Sequence, residues 1–333
     1  MYQSRKVVPC APDLISLSAV TKASPNTLIK HKLTFKLQLL KIPIKLVGFK
    51  ALEISIMAYN KILTIQDISC VGQCSLTVAL PILSACGQET CILPSAVLST
   101  HTGGFKGFTF RDLTDDLPLI QQHWLKENIK FNAIYTGYLG STKQIDMVKN
   151  IMNTLGMPSC KNIVDPAMAD NGKLYVGFDQ PYVEAMKSLC GIADYVLPNI
   201  TEACFLTDTE YKETYNEDYI DILLKKLSNL GAKKVILTGV SYQSDKTGVV
   251  VYEKGNKQYY EHRKISKGCH GTGDIYASAF VGALLNDKTD FEAVKIAADY
   301  TVKCIENTID DANHWYGAKF ETAIPELIKA LRN

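Results

Sequence analysis

No stretch of this chain reaches the uninterrupted apolar length that a helix needs to cross a bilayer, so a helical membrane span is not expected. Neither sign of charge dominates. Lysine and arginine number 36 against 34 aspartates and glutamates, a net charge of +2, and over residues 59–333 the two signs are mixed. A nucleic-acid or bulk membrane-surface partner would ordinarily show as a basic excess or a stripe, so neither is expected. The six histidines form no metal-ligand grouping and Cys70-x-x-x-Cys74 lacks a matching second pair, which argues against a structural metal site. Ten cysteines are scattered through apolar segments of a chain large enough to need no staples, and free thiols in a reducing, cytoplasmic setting are expected rather than disulfides. Internal repeats, low-complexity tracts and interdomain linkers are missing as well. What is present is the composition of an ordinary globule: 333 residues, 47% hydrophobic and 21% charged.

The first 56 residues differ from the rest. They carry Arg5, Lys6, Lys22, Lys30, Lys32, Lys36, Lys41, Lys45 and Lys50 against only Asp13 and Glu53, with little turn chemistry and no clear helical period. Met57-Ala58-Tyr59-Asn60 then leads into a short apolar run, as a natural start would. Residues 1–56 are therefore read as a basic extension, either translated from a mis-called start or dispensable, ahead of a single domain at 57–333. An organelle-targeting segment is the alternative; the basic, acid-poor composition suits it and the apolar alternation over 33–49 does not.

From residue 57 onward strand and helix signals alternate. Apolar strand-like runs fall at 61–65, 89–93, 133–136, 162–165, 195–197 and 234–238. Helical spacing marks 76–86, 116–128, 142–155, 181–190, 201–206, 219–230 and 272–285. Such alternation predicts an α/β fold of three layers, a mostly parallel central sheet with helices on both faces. Two further strands, 247–253 and 257–264, straddle the hairpin signal Lys254-Gly255-Asn256. In open α/β sheets ligands gather at the carboxyl ends of the strands. Polar, turn-forming residues collect at those ends here: Asp67 and Ser69, Thr136-Gly137-Tyr138, Asp165-Pro166, Pro198-Asn199 and Thr238-Gly239.

The run Gly268-Cys269-His270-Gly271-Thr272-Gly273-Asp274 feeds directly into a helical stretch. Its glycines free the backbone to turn tightly, so the amides around Gly271, Thr272 and Gly273 can converge on an anion at the positive end of the helix dipole. Asp274 then stands beside an anion hole, a pairing suited to phosphoryl transfer to an alcohol: the carboxylate accepts the hydroxyl proton while the amides hold developing charge. The plainer readings are a tight connection and, for Asp274, a helix cap.

With these residues placed, the chain resembles the ribokinase superfamily and, within it, the pyridoxal and pyridoxamine kinases. The resemblance covers roughly 57–333 and rests on Gly271-Thr272-Gly273-Asp274, Asp165-Pro166-Ala167-Met168-Ala169-Asp170, Pro198-Asn199-Ile200-Thr201-Glu202, Thr136-Gly137-Tyr138-Leu139-Gly140 and Leu98-Ser99-Thr100-His101-Thr102-Gly103. The first box marks the superfamily; the last two pull toward kinases of B6 vitamers. The resemblance implies a ribokinase-like fold and transfer of the γ-phosphoryl of ATP to the 5′-hydroxymethyl of pyridoxal, pyridoxamine or pyridoxine. Asp165, Asp170, Asn199 and Glu202 offer hard oxygens and amides of the kind that hold ATP phosphates and a hydrated Mg²⁺, with Asp165 and Glu202 the expected metal carboxylates. Taken singly, Asp165 could cap a turn and Glu202 a helix. By resemblance Thr238 contacts the nucleotide, the polar segment 169–177 is a mobile loop over ATP, and Asp67, His101, Thr102 and Tyr138 surround the pyridine ring. A loop histidine satisfied by backbone is the plainer account of His101. A homodimer and a monovalent-cation requirement are further implications of the resemblance. The alternatives are a hydroxymethylpyrimidine (phosphate) kinase of thiamine synthesis and a non-catalytic vitamer-binding protein.

The chain departs from the family in two places. Many pyridoxal kinases carry Ser where Asp67 stands, and a Gly-His-x-Gly-Asn-like run where this chain has Gly72-Gln73-Cys74-Ser75-Leu76. Cys269, two residues before the glycine turn, is either inert packing or a thiol able to form a hemithioacetal with an aldehyde. A carboxylate near the ring nitrogen or phenolic oxygen favours a protonated ring or an amine, so Asp67→Ser is expected to lower the preference for pyridoxamine. Unchanged relative kcat/KM over the three vitamers would contradict that expectation.

Overall fold

The computed structural model describes residues 59–265 and 268–333; the expectations for residues 1–56 lie outside the described residues. Nine strands form one sheet in the order β11-β10-β9-β8-β5-β4-β1-β2-β3. They are β1 (Lys61–Ser69), β2 (Glu89–Leu98), β3 (Phe110–Asp112), β4 (Phe131–Thr136), β5 (Gly156–Val164), β8 (Tyr195–Val196), β9 (Lys234–Gln243), β10 (Lys246–Glu253) and β11 (Asn256–Arg263). A separate two-stranded ribbon pairs β6 (Ala169–Asp170) with β7 (Lys173–Leu174). From β2 through β1, β4, β5 and β8 to β9 every pair is parallel, and the antiparallel strands β3, β10 and β11 lie toward the two edges.

Nine α-helices lie among the described residues, the first six between strands and the last three after β11: α1 (Leu76–Ala85), α2 (Leu117–Lys126), α3 (Thr142–Leu155), α4 (Gln180–Cys190), α5 (Ile200–Leu206), α6 (Glu217–Asn229), α7 (Thr272–Leu284), α8 (Asp290–Glu306) and α9 (Ile324–Arg332). Alternate strand residues point to opposite faces. Ile62, Ala133, Tyr135, Ile163, Tyr195 and Ile236 pack into one core with α1, α7, α8 and α9. Their neighbours Leu63, Ile134, Val164, Val196 and Val235 pack into a second core with α3, α4, α5 and α6. Both faces being covered, the central strands read as continuous apolar runs, and each fully buried Leu or Ile contributes about 1.5–3 kcal/mol. The three-layer α/β expectation is met.

The structure lengthens several elements. β1 runs on to Ser69 and β2 to Leu98, because past the polar residues both find partners: Ser69 pairs with Leu98, and Leu98 with Phe110 of β3. β5 begins at Gly156, which pairs with Phe131. The segment expected as a loop over 169–177 holds the β6–β7 ribbon, its turn made by Asn171 (φ 50°) and Gly172 (φ 76°). Lys254 and Gly255 likewise take positive φ (49° and 89°) in the two-residue turn from β10 to β11, where the hairpin was expected. The ends of β1, β4, β5, β8 and β9 all open toward one edge of the sheet, and the N-terminal turns of α1, α5 and α7 lie there too.

Candidate functional site

The glycine turn is built by a close approach. Gly271 sits in the left-handed region (φ 76°), and a Cβ there would fall 1.6 Å from the carbonyl oxygen of Gln73. Only glycine therefore lets the turn before α7 rest on the backbone before α1. The first intrahelical bond runs from Ile275 N–H to Gly271 O at 3.0 Å, so the amides of Thr272, Gly273 and Asp274 precede the ladder of the helix. Gly273 is exposed and a Cβ there would touch nothing within 4 Å, which leaves its amide open to a ligand.

Asp274 is the third residue of α7 and half-buried. Burial pushes its carboxyl up to about 7, a backbone N–H donated by Ser75 works against that rise, and the negative charge of Asp67 adds to it. A carboxylate poised near neutrality beside free amides can take a proton from a hydroxyl while an anion is held. Asp165 is buried at the end of β5, and its carboxyl is raised well above the usual range by burial and by the charges of Glu202 and Asp274. Asp67, Asp165, Asp274 and Glu202 thus share one electrostatic neighbourhood.

On the α5 side the expected ligands are also structural. Asn199 caps α5: its Oδ1 accepts from Glu202 N–H at 2.9 Å, and Glu202 Oε2 accepts from Asn199 N–H at 2.9 Å, a capping box. Glu202 Oε1 accepts from Met168 N–H at 3.2 Å and Asn199 Nδ2 donates to Ala169 O at 2.9 Å, which fastens the ribbon to the helix. Burial raises the Glu202 carboxyl, and these amides restrain the rise. Thr238 bridges to Asn199 and donates to Pro198 O. Asp170 is exposed in the ribbon and adds its charge to that felt by Glu202. Among the described residues no three His, Cys, Asp or Glu side chains are grouped tightly enough to cage a metal. Two buried carboxylates, Asp165 and the Glu202 whose charge raises it, do fit a hydrated Mg²⁺ shared with phosphates, which needs few protein ligands.

Asp67 is buried; burial raises its carboxyl, while hydrogen bonds from Ser75 and Ser69 and the nearby His101 lower it. Tyr138 is half-buried within electrostatic range of Asp67 and stacks on Phe178, which stacks on Tyr182. His101 is buried with both ring nitrogens engaged by backbone: Nε2 lies 2.7 Å from Tyr316 O and Nδ1 accepts from Gly103 N–H at 3.0 Å. Thr102, next in the chain, is exposed. Cys269 is half-buried and packs against the core under α7.

Sequence reasoning passed over several residues here. Ser75, at φ 54° and ψ −133°, starts α1 and touches both Asp67 and Asp274; a serine ahead of a helical run was the available signal. Gln66, Tyr135 and Ser278 are fully buried beneath the site, the Tyr135 hydroxyl facing the other two and feeling Asp165 and Asp274. Tyr175 lies within range of Glu202, Asp170, Asp165 and Asp274.

Comparison with known proteins places this geometry. A family model described as phosphomethylpyrimidine kinase matches residues 83–318. A pyridoxal kinase of Dictyostelium discoideum is 27% identical over 272 residues, 76% of this chain and 87% of its own length. A Bacteroides thetaiotaomicron protein described as a phosphomethylpyrimidine kinase, crystallised with pyridoxal, is 36% identical, with a TM-score of 0.76 over 80% of this chain and 95% of its own. The pyridoxal kinase of Lactobacillus plantarum is 30% identical, with a TM-score of 0.76 over 81% and 97%.

Two stability measurements check the geometry. Gly271→Ala places a side chain at positive φ against the Gln73 carbonyl, and denaturant unfolding should show a loss of about 2 kcal/mol or more. The raised Asp274 carboxyl works in the other direction. Its folded pKa of about 7 lies above the ordinary carboxylate value, so its contribution is full in acid and is lost as pH rises through 7. Asp274→Asn should therefore melt higher than the parent at pH 8, with the gap closing toward pH 4; a gap independent of pH would contradict the burial of that charge.

Proposed function

The chain belongs to the phosphomethylpyrimidine kinase family, and from that premise we propose that it transfers the γ-phosphoryl group of ATP to the 5′-hydroxymethyl group of pyridoxal, pyridoxamine or pyridoxine. The observation that carries the reading is Asp274, a carboxylate held near neutrality at the head of α7 beside the Gly271-Thr272-Gly273 amides. The names of the relatives favour B6 vitamers, and pyridoxal itself accompanies the Bacteroides thetaiotaomicron protein.

In this reading Asp274 removes the 5′-hydroxyl proton as the oxygen attacks the γ-phosphorus, and the amides of residues 271–273 face the charge on the moving group. Asp67 and Tyr138 line the vitamer side. Thr238, Asn199 and Asp170 line the nucleotide side, with the β6–β7 ribbon, held by Glu202 and Asn199, excluding water that would compete for the phosphoryl group. Asp165 and Glu202 would hold Mg²⁺, which when bound offsets phosphate charge. A single kinase domain over 57–333, a homodimer, a cytoplasmic location and a monovalent-cation requirement belong to the same reading through the resemblance alone.

The description of the matching family favours a second reading, a pyrimidine acceptor in thiamine synthesis, since both acceptors are flat heteroaromatic alcohols. ATP consumption with Mg²⁺ against pyridoxal, pyridoxamine, pyridoxine and hydroxymethylpyrimidine separates them. Turnover on a vitamer that falls roughly 10²- to 10⁴-fold in Asp274→Ala, with KM for ATP little changed, is the expected result. Turnover on the pyrimidine alone would move the protein to the second reading, and near-normal turnover in the variant would remove Asp274 from its role.

A further inference from the structure

His101 has no ring nitrogen left for a substrate, yet it lies within electrostatic range of Asp67, on the side proposed for the vitamer. Four chain segments meet around it. Its Nδ1 accepts from Gly103 N–H, which closes the 99–110 loop on itself. Its Nε2 faces Tyr316 O at 2.7 Å in the loop before α9; with Nδ1 accepting a backbone N–H, Nε2 carries the proton and donates it to that carbonyl. The same carbonyl accepts from Gln73 N–H at 3.3 Å. The ring lies flush on Gly72, where a Cβ would come within 2.0 Å of Cδ2, and beside His270, with ring centroids 5.2 Å apart.

These contacts form a chain that ends at the anion hole. Tyr316 O binds both His101 and Gln73. Gly317 then passes so close to Gln73 that a Cβ would lie 2.3 Å from the Gln73 Cβ, and Gln73 Nε2 donates to Glu321 Oε1 at 2.9 Å. The Gln73 carbonyl is in turn the surface on which Gly271 rests. A shift of Tyr316 would carry Gln73 with it, and the turn before α7 would lose its seat.

We propose that His101 is a positioning residue: through Tyr316 and Gln73 it fixes the Gly271 turn, and it joins the loop on the vitamer side to the amides on the phosphoryl side. This deepens the reading of the site given above and rests on it for the reaction, but the mechanical link can be measured without turnover. Glutamine can place a donor where Nε2 stands, and asparagine can place an acceptor where Nδ1 stands, so the two substitutions separate the two hydrogen bonds.

The test is hydrogen–deuterium exchange of the free, full-length protein and its His101→Ala, His101→Gln and His101→Asn variants, followed by kinetics. Exchange in peptides spanning 72–75 and 314–317 should rise on the order of tenfold in the Ala and Asn variants and return toward the parent in the Gln variant. Equal exchange in all four proteins would overturn the link. In the kinetics, His101→Ala should lower kcat on every vitamer with each vitamer KM within about twofold of the parent. A selective rise in one vitamer's KM at unchanged kcat would make His101 a substrate contact instead. A parent protein that phosphorylates nothing removes the functional reading, and the exchange data still decide the link.

Discussion

The site depends on one steric fact, the contact between Gly271 and the Gln73 carbonyl. It brings the start of α7 against the start of α1, and the two helices arrive from opposite ends of the folded chain. With this contact made, Ser75 can donate its amide to Asp274 and its side chain can reach Asp67, so one strained serine spans the proposed base and the proposed vitamer side. The strain itself is of a kind that persists only where surrounding structure enforces it. Here the enforcement comes from the sheet below and the Tyr316 loop beside it.

A second constraint follows from the first. Drawing the strand ends together crowds Asp67, Asp165, Asp274 and Glu202 into a partly dehydrated space, where each raises another's affinity for protons or is itself raised by burial. Carboxylates are seldom buried without cationic partners, so this arrangement costs stability. Such a cluster is common at functional sites, where folding free energy is given up to hold titratable groups in perturbed states, and it agrees with the role proposed above for Asp274. Glu202 limits that cost by spending its two oxygens on backbone amides of Asn199 and Met168.

Much of this was legible in the chain. The alternation of apolar runs, the Lys254-Gly255 turn and the polar residues at strand ends follow from period and turn chemistry, and the sheet bears them out. What was not legible lies in contacts between distant segments. Asn199 and Glu202 stand out as candidate ligands by residue type, but their spacing is also that of a capping box, and the fold uses it as one. His101 suggests substrate by its neighbours in the sequence, whereas its partners Tyr316 and Gly72 come from elsewhere in the chain. Gln66, Tyr135 and Ser278 are polar residues inside apolar elements, and only the packing of β1, β4 and α7 shows that they sit together. The 169–177 segment has the composition of a loop because its ribbon is two residues deep on each side.

The division of the helices between the two faces has a consequence for synthesis. α3, α4, α5 and α6 cover one face as they emerge, in the order in which their strands join the sheet. The other face has only α1 until the last part of the chain appears, because α7, α8 and α9 complete it. Asn286 reaches back across 200 residues to donate to the carbonyl of Cys86, and Gly282 is bare so that Cys86 can pack against it. During translation Ile62, Tyr135, Ile163 and Ile236 therefore wait, half-roofed, for the C-terminal helices. The segment that carries Asp274 is also the one that begins to close this face, so a chain released before it would lack that carboxylate and leave its apolar side uncovered.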